Sequence, residues 1–296
     1  MRATVAIIGA GGMGSWFARF FKSRRYSVTV TDRNSRKARL LASRLGVRYA
    51  PNNIDAVQGS RIVVVATPAD ATASTIREIL PTLERNTLLC EISATKSTVM
   101  PALQSAQKGG YNVASIHPMF GPLADGIRGR RVLLIRTGNN ARTYRMVKRL
   151  IRGARIISVD GRTHDERMTL TLGLPHLLNM AFAMTLSRKG KLADIRRYAG
   201  RTFDLQMLLT QAIASEPETV ADIQISNRQF LAVLREFQRE IRWLAEIVDK
   251  RDRAKLVSRY KQVRRALSAD PEFKVARRIF EEVTEAYSAA TKSQRW

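Results

Sequence analysis

Cysteine is nearly missing from this 296-residue chain, where Cys90 stands alone. A single thiol excludes a disulfide framework and fits a reducing compartment. Histidine is scarce as well. His117, His164 and His176 are the whole set, and with one cysteine they make no recognisable metal-ligand spacing, so no metal is expected. Aromatic residues are only 7%, and most fall on apolar stripes rather than among basic clusters. That leaves little for a nucleic-acid-binding surface built on stacking. Long apolar runs are also lacking. Strings such as Ile62-Val63-Val64-Val65-Ala66 are too short to cross a bilayer, and a strand-like run begins by Thr4 without a charged-then-apolar leader. The expectation is a cytoplasmic chain with no membrane segment. Acidic residues are few: 25 Asp and Glu face 51 Lys and Arg, 39 of them Arg, for a net charge of +26. An excess this large raises the question of nucleic acid or another anionic partner.

What is present is globular in composition, 45% apolar and 26% charged. The length allows one large domain or two ordinary ones. Short Val- and Ile-rich runs at Thr4–Ile8, Ser27–Thr31, Arg61–Ala66, Thr87–Ile92, Asn112–Ile116, Val132–Arg136 and Arg155–Val159 are bounded by turn residues, and helical stretches separate the early ones. That is the pattern of a mostly parallel sheet covered on both faces. After Gly161 no convincing strand recurs and segments of 3.6-residue period take over. Thr163 and Glu166 read as a capping box that opens this half. A second box at Ser215-Glu216-Pro217-Glu218 opens a helix of about thirty residues, with Val220, Phe230, Leu234, Ile241 and Val248 on one stripe. A helix this long and apolar suggests a homodimer interface, with an ordinary intrachain core as the even alternative.

Gly9-Ala10-Gly11-Gly12-Met13-Gly14 is a G-x-G-x-x-G string that follows a strand and opens a helix. Gly9 allows the tight turn, Gly11 a close approach of backbone to pyrophosphate, and Gly14 close packing of helix on strand. The free N–H groups of Gly12, Met13 and their neighbours then face the phosphates. Asp32 ends the next strand, where a carboxylate binds ribose hydroxyls and repels a 2′-phosphate, favouring NAD. Arg33, Arg36 and Lys37 follow it and keep NADP open. The fold class is therefore an α/β Rossmann-type dinucleotide-binding domain over residues 1–161, followed by an all-α C-terminal domain over 162–287 and a flexible tail over 288–296. Ligands of such sheets sit at the carboxyl ends of strands, so Thr67, Pro68, Ser93 and Lys96 are expected to face the nicotinamide end.

His117 directly follows a strand, in a loop fixed by Pro118, Gly121 and Pro122. An imidazole there is suited to take a proton from an alcohol as hydride leaves. His164 and His176 are candidates for the substrate side, against the plainer reading of packed helix histidines.

These residues resemble the prephenate dehydrogenases of tyrosine biosynthesis, which share a fold with the arogenate dehydrogenases. The glycine string is common to many dehydrogenases. More specific are His117-Pro118-Met119-Phe120-Gly121-Pro122, His164-Asp165-Glu166-Arg167-Met168 with Leu174-Pro175-His176, and Glu216-Pro217 through Asn227. The resemblance covers about residues 3–285. It implies an NAD-linked oxidative decarboxylation of a small anionic substrate, prephenate or arogenate, with His117 taking the hydroxyl proton, Ser93 and Lys96 assisting it, and His164 and His176 lining the substrate side. Two positions depart from the family pattern. Ala94 stands where a serine that assists the histidine is expected, leaving Ser93 or Thr95 to substitute, and Gln211 stands where an arginine binds a substrate carboxylate, with Arg201 as a stand-in. These departures motivate a third class beside the enzyme and the nucleic-acid binder, a non-catalytic NAD sensor.

Overall fold

The computed structural model describes residues 3–138 and 141–292. Its contacts divide the chain into two units. One runs up to Thr171 and includes Ala221–Arg228; the other holds Leu172–Val220 and the chain from Gln229 onward.

The first unit is built on one sheet. Its strands are β1 (Thr4–Ile8), β2 (Ser27–Thr31), β3 (Arg48–Tyr49), β4 (Ile62–Val65), β5 (Leu88–Glu91), β6 (Asn112–Pro118), β7 (Arg131–Arg136) and β8 (Arg155–Asp160), in the spatial order β3-β2-β1-β4-β5-β6-β7-β8. All pairings are parallel except β6 with β7. The reversal of strand order beside β1 creates the crevice in which open α/β sheets bind ligands. All seven expected strands form. The two-residue β3 was not expected, because Arg48-Tyr49 is too short and too polar to stand out as an apolar run.

Both faces of the sheet are covered, and the side-chain period of two divides the core accordingly. Val5, Ile7, Val64, Leu88, Cys90, Ala114 and Ile116 face one layer, where Phe17 and Phe21 are fully buried. Ala6, Ile8, Val63, Val65, Leu89 and Val113 face the other, against Ile76, Ile79 and Leu103. The helices of these layers are α1 (Gly12–Ser23), α2 (Ser35–Leu45), α3 (Asn53–Val57), α4 (Ala69–Ile79), α5 (Met100–Lys108) and α6 (Ala141–Leu150). Each fully buried Phe of α1 contributes about 1.5–3 kcal/mol relative to exposure.

The remaining helices are α7 (Gly161–Met168), α8 (Leu174–Ser187), α9 (Leu192–Arg196), α10 (Arg201–Ala214), α11 (Pro217–Ser226), α12 (Phe230–Asp249), α13 (Arg253–Leu267) and α14 (Phe273–Lys292), with one π turn at Thr169–Gly173. By contacts α7 groups with the sheet as far as Thr171, because Asp165 ties it to the loop after β5. Three expectations need correction. The cap of α7 is Asp160, whose carboxylate accepts from Thr163 N at 2.9 Å, so the helix starts before Thr163. The long helix is broken between α11 and α12, where buried Asn227 turns away from the helical ladder and its Nδ2 donates to the Asp165 carbonyl at 2.7 Å. Helix α14 continues to Lys292, carried by Ala289 and Ala290 through the start of the expected tail; residues 293–296 lie outside the described residues. One further feature concerns membranes. The continuous helical run Gly161–Ser187 is long and apolar enough to cross a bilayer by length and composition, although no single uninterrupted apolar string is.

Replacing Asn227 by Ala removes one of two donors to the Asp165 carbonyl, which keeps the Thr169 N–H. Unfolding free energy is expected to fall by about 0.5–1.5 kcal/mol, the net worth of one hydrogen bond, seen as a lower urea midpoint at unchanged slope. An unchanged midpoint would mean that other contacts hold the break between α11 and α12.

Candidate active site

The glycine loop has the required local geometry. Gly9 has φ +107°, and a Cβ there would lie 2.4 Å from the Ala66 carbonyl oxygen. A Cβ on Gly14 would lie 1.8 Å from the Gly9 carbonyl oxygen, so only glycine lets α1 approach β1 this closely. At Gly11 a Cβ would meet nothing within 4 Å, which leaves its backbone open to a ligand. Gly11 is also the N-cap of α1 and supplies no side-chain cap, so the N–H groups of the first turn, Gly12, Met13 and Gly14, remain for an anion. Asp32 closes the loop from the end of β2. Its carboxylate accepts from Ala10 N at 2.6 Å and from Asn34 N at 2.8 Å. A carboxylate has about four acceptor sites, so capacity remains for ribose hydroxyls. These residues fit a dinucleotide. Arg33 is exposed beside Asp32. Thr67 and Pro68 follow β4, with Pro68 as N-cap of α4 and Thr67 Oγ1 paired to Thr72 Oγ1 at 3.0 Å.

The His117 loop is fastened over the start of α1. Trp16 Nε1 donates to the Ala124 carbonyl at 2.8 Å, Arg19 Nη2 to the Pro122 carbonyl at 2.7 Å, and Phe120 packs on Trp16 with ring centroids 4.9 Å apart. The prolines and aromatics after His117 thus join the end of β6 to the glycine loop.

His117 is buried, and its Nδ1 lies 2.9 Å from His164 Nε2. His164 Nδ1 lies 2.8 Å from Asp165 Oδ1. Asp165 Oδ1 also accepts from Lys96 N at 2.8 Å, and Oδ2 accepts from Ser97 N at 2.7 Å. Burial, then the Lys96 ammonium and then His164, hold the His117 imidazole well below the ordinary histidine range. Burial lowers His164 as well, opposed in part by its hydrogen bond to Asp165. Burial acts to raise the Asp165 carboxyl, but the hydrogen bonds from His164, Lys96 and Ser97 outweigh it and leave it below the ordinary carboxylate range.

The structure brings His117 and His164 together but alters three expected roles. His164 is fully buried with both ring nitrogens engaged, so it backs His117 instead of facing a substrate. Lys96 does not face the crevice. It is fully buried, with Nζ donating to Glu91 Oε1 at 2.8 Å and to the Ile116 carbonyl at 2.9 Å, because a buried ammonium needs a carboxylate partner. Ser93 does not reach His117: its Oγ donates to Thr72 Oγ1 at 3.1 Å and its N to Glu91 Oε2 at 2.7 Å. Sequence reasoning missed Glu91 and Asp165 as members of this cluster, although both stand beside residues it singled out. Cys90 also lies here, but burial and then Glu91 push its thiol up to about 12, which leaves it unreactive.

In the second unit, His176 on α8 has a buried Nδ1 without a partner among the described residues, and burial lowers its pKa. Gln211 Oε1 accepts from Arg196 Nη2 at 3.0 Å, so a guanidinium from α9 stands next to the amide. Arg201 Nη1 donates to Glu281 Oε2 in an exposed pair.

Known proteins resemble this chain in both of its halves. The nucleotide-binding domain of prephenate dehydrogenase matches residues 17–137, and its dimerization domain matches residues 160–282. The chain is 30% identical over 268 residues, 88% of its length, to a Methanocaldococcus jannaschii protein described as a probable arogenate/prephenate dehydrogenase. It is 27% identical over 279 residues to the cyclohexadienyl dehydrogenase of Zymomonas mobilis, covering 88% of this chain and 94% of that one. It spans 60% of the length of the Methanocaldococcus protein and 66% of the Haemophilus influenzae T-protein. In structure it resembles a prephenate dehydrogenase from A. aeolicus crystallised with hydroxyphenyl propionate and NAD+, with TM-score 0.73 and 18% identity, covering 91% of this chain and 99% of that one.

Lys96→Met leaves Glu91 buried without its counter-ion, and a loss of about 3–5 kcal/mol is expected. Adding Glu91→Gln to Lys96→Met is expected to recover most of that loss. Chemical denaturation of the three variants measures both effects; a loss below about 1 kcal/mol for Lys96→Met, the range of an exposed pair, would contradict the role given to the ion pair.

Proposed function

The chain belongs to the prephenate dehydrogenase family, and on that premise we propose that it is an NAD-dependent prephenate dehydrogenase. The reaction would be the oxidative decarboxylation of prephenate to 4-hydroxyphenylpyruvate in tyrosine biosynthesis, in a cytoplasmic setting. The observation that carries this reading is the His117 ring. Its Nδ1 faces His164, its Nε2 makes no hydrogen bond among the described residues, and the loop that follows it is fastened to the start of α1. Arogenate, with an amine in place of the side-chain ketone, is the alternative substrate, since the Methanocaldococcus relative is described with both names.

The N–H groups of Gly12, Met13 and Gly14 would hold the pyrophosphate of NAD, Asp32 its ribose hydroxyls, and Thr67 and Pro68 its nicotinamide end. When bound, NAD supplies the hydride acceptor for the substrate's C4 carbon. The chain's own residues do the rest. His117 Nε2 accepts the C4 hydroxyl hydrogen bond and takes its proton as the carbonyl forms. Burial keeps the imidazole unprotonated and ready at neutral pH. Loss of the ring carboxylate as carbon dioxide then makes the ring aromatic, which drives the reaction. Lys96 and Ser93 act indirectly, holding Glu91 and Thr72 in place at the end of β5 and in α4. Within the second unit, His176, Arg201 and Gln211 are the residues proposed on the family resemblance: the unpartnered His176 Nδ1 is a group a ligand would satisfy, and Gln211 has the Arg196 guanidinium beside it.

We also propose a homodimer through the helical unit. Leu178 and Met184 of α8, Leu208 and Leu209 of α10, and Ile241 and Val248 of α12 are exposed apolar side chains that a second copy would cover.

Purified protein with prephenate or arogenate and NAD or NADP should raise the absorbance of reduced nicotinamide. No turnover in any of the four combinations would overturn the enzyme reading. His117→Asn is expected to lower kcat by about two orders of magnitude or more, whereas a near-wild-type rate removes His117 from the base role. Sedimentation velocity at micromolar concentration is expected to show a dimer, and Leu208→Glu with Leu209→Glu to give a folded monomer; a monomeric wild type would rule out this interface.

A further inference from the structure

Resting on the reading of His117 as the base, we infer that His164 and Asp165 form a proton relay behind it, so that the charge taken from the substrate comes to rest on His164. The relay follows from hydrogen-bond accounting. Asp165 is an ionised acceptor, so His164 Nδ1 must carry the proton in their 2.8 Å contact. His164 Nε2 is then a lone pair, and His117 Nδ1 must donate across the 2.9 Å contact. Neutral His117 is thereby held in the tautomer whose Nε2 is unprotonated. Without His164 it would be free to adopt the opposite tautomer, in which Nε2 cannot accept a proton.

Burial disfavours a charge on either ring, and the groups around them bias where an acquired proton rests. His117 has the Lys96 ammonium as its charged neighbour, which opposes a second positive charge there. His164 feels the same ammonium, but Asp165 hydrogen-bonds it directly and Glu91 also favours its charged form. Asp165 is held as an anion by Lys96 N and Ser97 N, and its main chain is fixed by Asn227. The step balances. The substrate hydroxyl proton goes to His117 Nε2, the Nδ1 proton of His117 passes to His164 Nε2, and His164 becomes an imidazolium that keeps its Nδ1 proton towards Asp165. Loss of carbon dioxide leaves a phenolate oxygen, and reversal of the same path returns the proton from His117 Nε2 to it, restoring the starting tautomers before product leaves. Asp165 and His164 are on this account positioning residues that act through His117.

With three histidines in the chain, the imidazole tautomers can be resolved by nitrogen-15 NMR of histidine-labelled full-length protein. The expected spectrum at neutral pH has His117 protonated at Nδ1 and bare at Nε2. In His164→Asn, and separately in Asp165→Asn, His117 is expected to populate the Nε2-protonated form. A wild-type spectrum with His117 protonated at Nε2 overturns the relay whatever the activity. In single-turnover hydride transfer, His164→Asn is expected to slow the step about tenfold to a hundredfold, at unchanged affinity for NAD. The curved dependence on deuterium fraction expected for two moving protons should become linear. Since His164→Asn leaves Asp165 free to hold the backbone of Lys96 and Ser97, it separates lost relay from lost fold. Loss of turnover in His117→Asn with wild-type rates and a wild-type deuterium dependence in both His164→Asn and Asp165→Asn would leave His117 as base and sink the relay. A wild-type rate in His117→Asn would instead sink the base reading itself.

Discussion

The carboxylate of Asp165 joins parts of the chain that no continuous element connects. It takes hydrogen bonds from two successive N–H groups in the loop after β5 and from the His164 ring, while its own carbonyl receives the Asn227 side chain from the turn between α11 and α12. Hydrogen bonds to a charged group contribute about 1.5–3 kcal/mol each, and here three of them offset the desolvation of a buried carboxylate. The consequence for the fold is that α7 belongs with the sheet, as does the short return segment at Ala221–Arg228. The consequence for the site is that the rings of His164 and His117 inherit their orientation from the same carboxylate.

Beneath that cluster lies the Glu91–Lys96 pair, with both side chains fully buried. Such a pair rarely adds stability over an apolar pair of the same shape, so its presence calls for another reason. Its position supplies one. Glu91 ends β5, Lys96 reaches from the following loop to the Ile116 carbonyl, and Ser115 donates its hydroxyl to the same Glu91 oxygen. The pair therefore fastens β5 to the last residues of β6 before His117. It also places a fixed positive charge near the His117 ring, which adds to burial in holding that imidazole well below the ordinary histidine range.

Much of this was legible in the residues alone, and the reasons are local. β1 and β4 were readable because nearly every residue in them is buried and apolar, whereas the more exposed β8 was readable only from its Ile and Val content. The glycine loop was readable because Gly9 and Gly14 meet backbone at distances that no side chain survives. His117 was readable from its place after a strand and its rigid loop. What escaped notice depends on contacts distant in the chain. That Asn227 breaks a helix, that Lys96 turns inward, and that Ser93 bonds Thr72 are set by partners 62, 5 and 21 residues away respectively. The nearest of these misled as well, because Glu91 was read only as part of a strand end. His164 was assigned to the substrate side from its place at the start of a helix and from the family resemblance, and neither says what the ring meets once the chain is folded.

The charge of the chain sets a different kind of constraint on the site. Residues 1–160 carry 26 basic and 8 acidic side chains, so the surplus concentrates on the unit that bears the glycine loop. At physiological salt such a field is screened beyond about 8 Å, so it can gather anionic ligands but cannot distinguish one from another. Discrimination must come from groups at contact distance. Asp32 is such a group, a negative charge fixed by Ala10 N and Asn34 N at the point where a 2′-phosphate would arrive. Arg33 next to it is exposed, whereas Asp32 is bound into the loop that would hold the pyrophosphate. Between a carboxylate held by two backbone donors and an exposed guanidinium the held group sets the preference, because reorienting it would also disturb the turn on which cofactor binding depends.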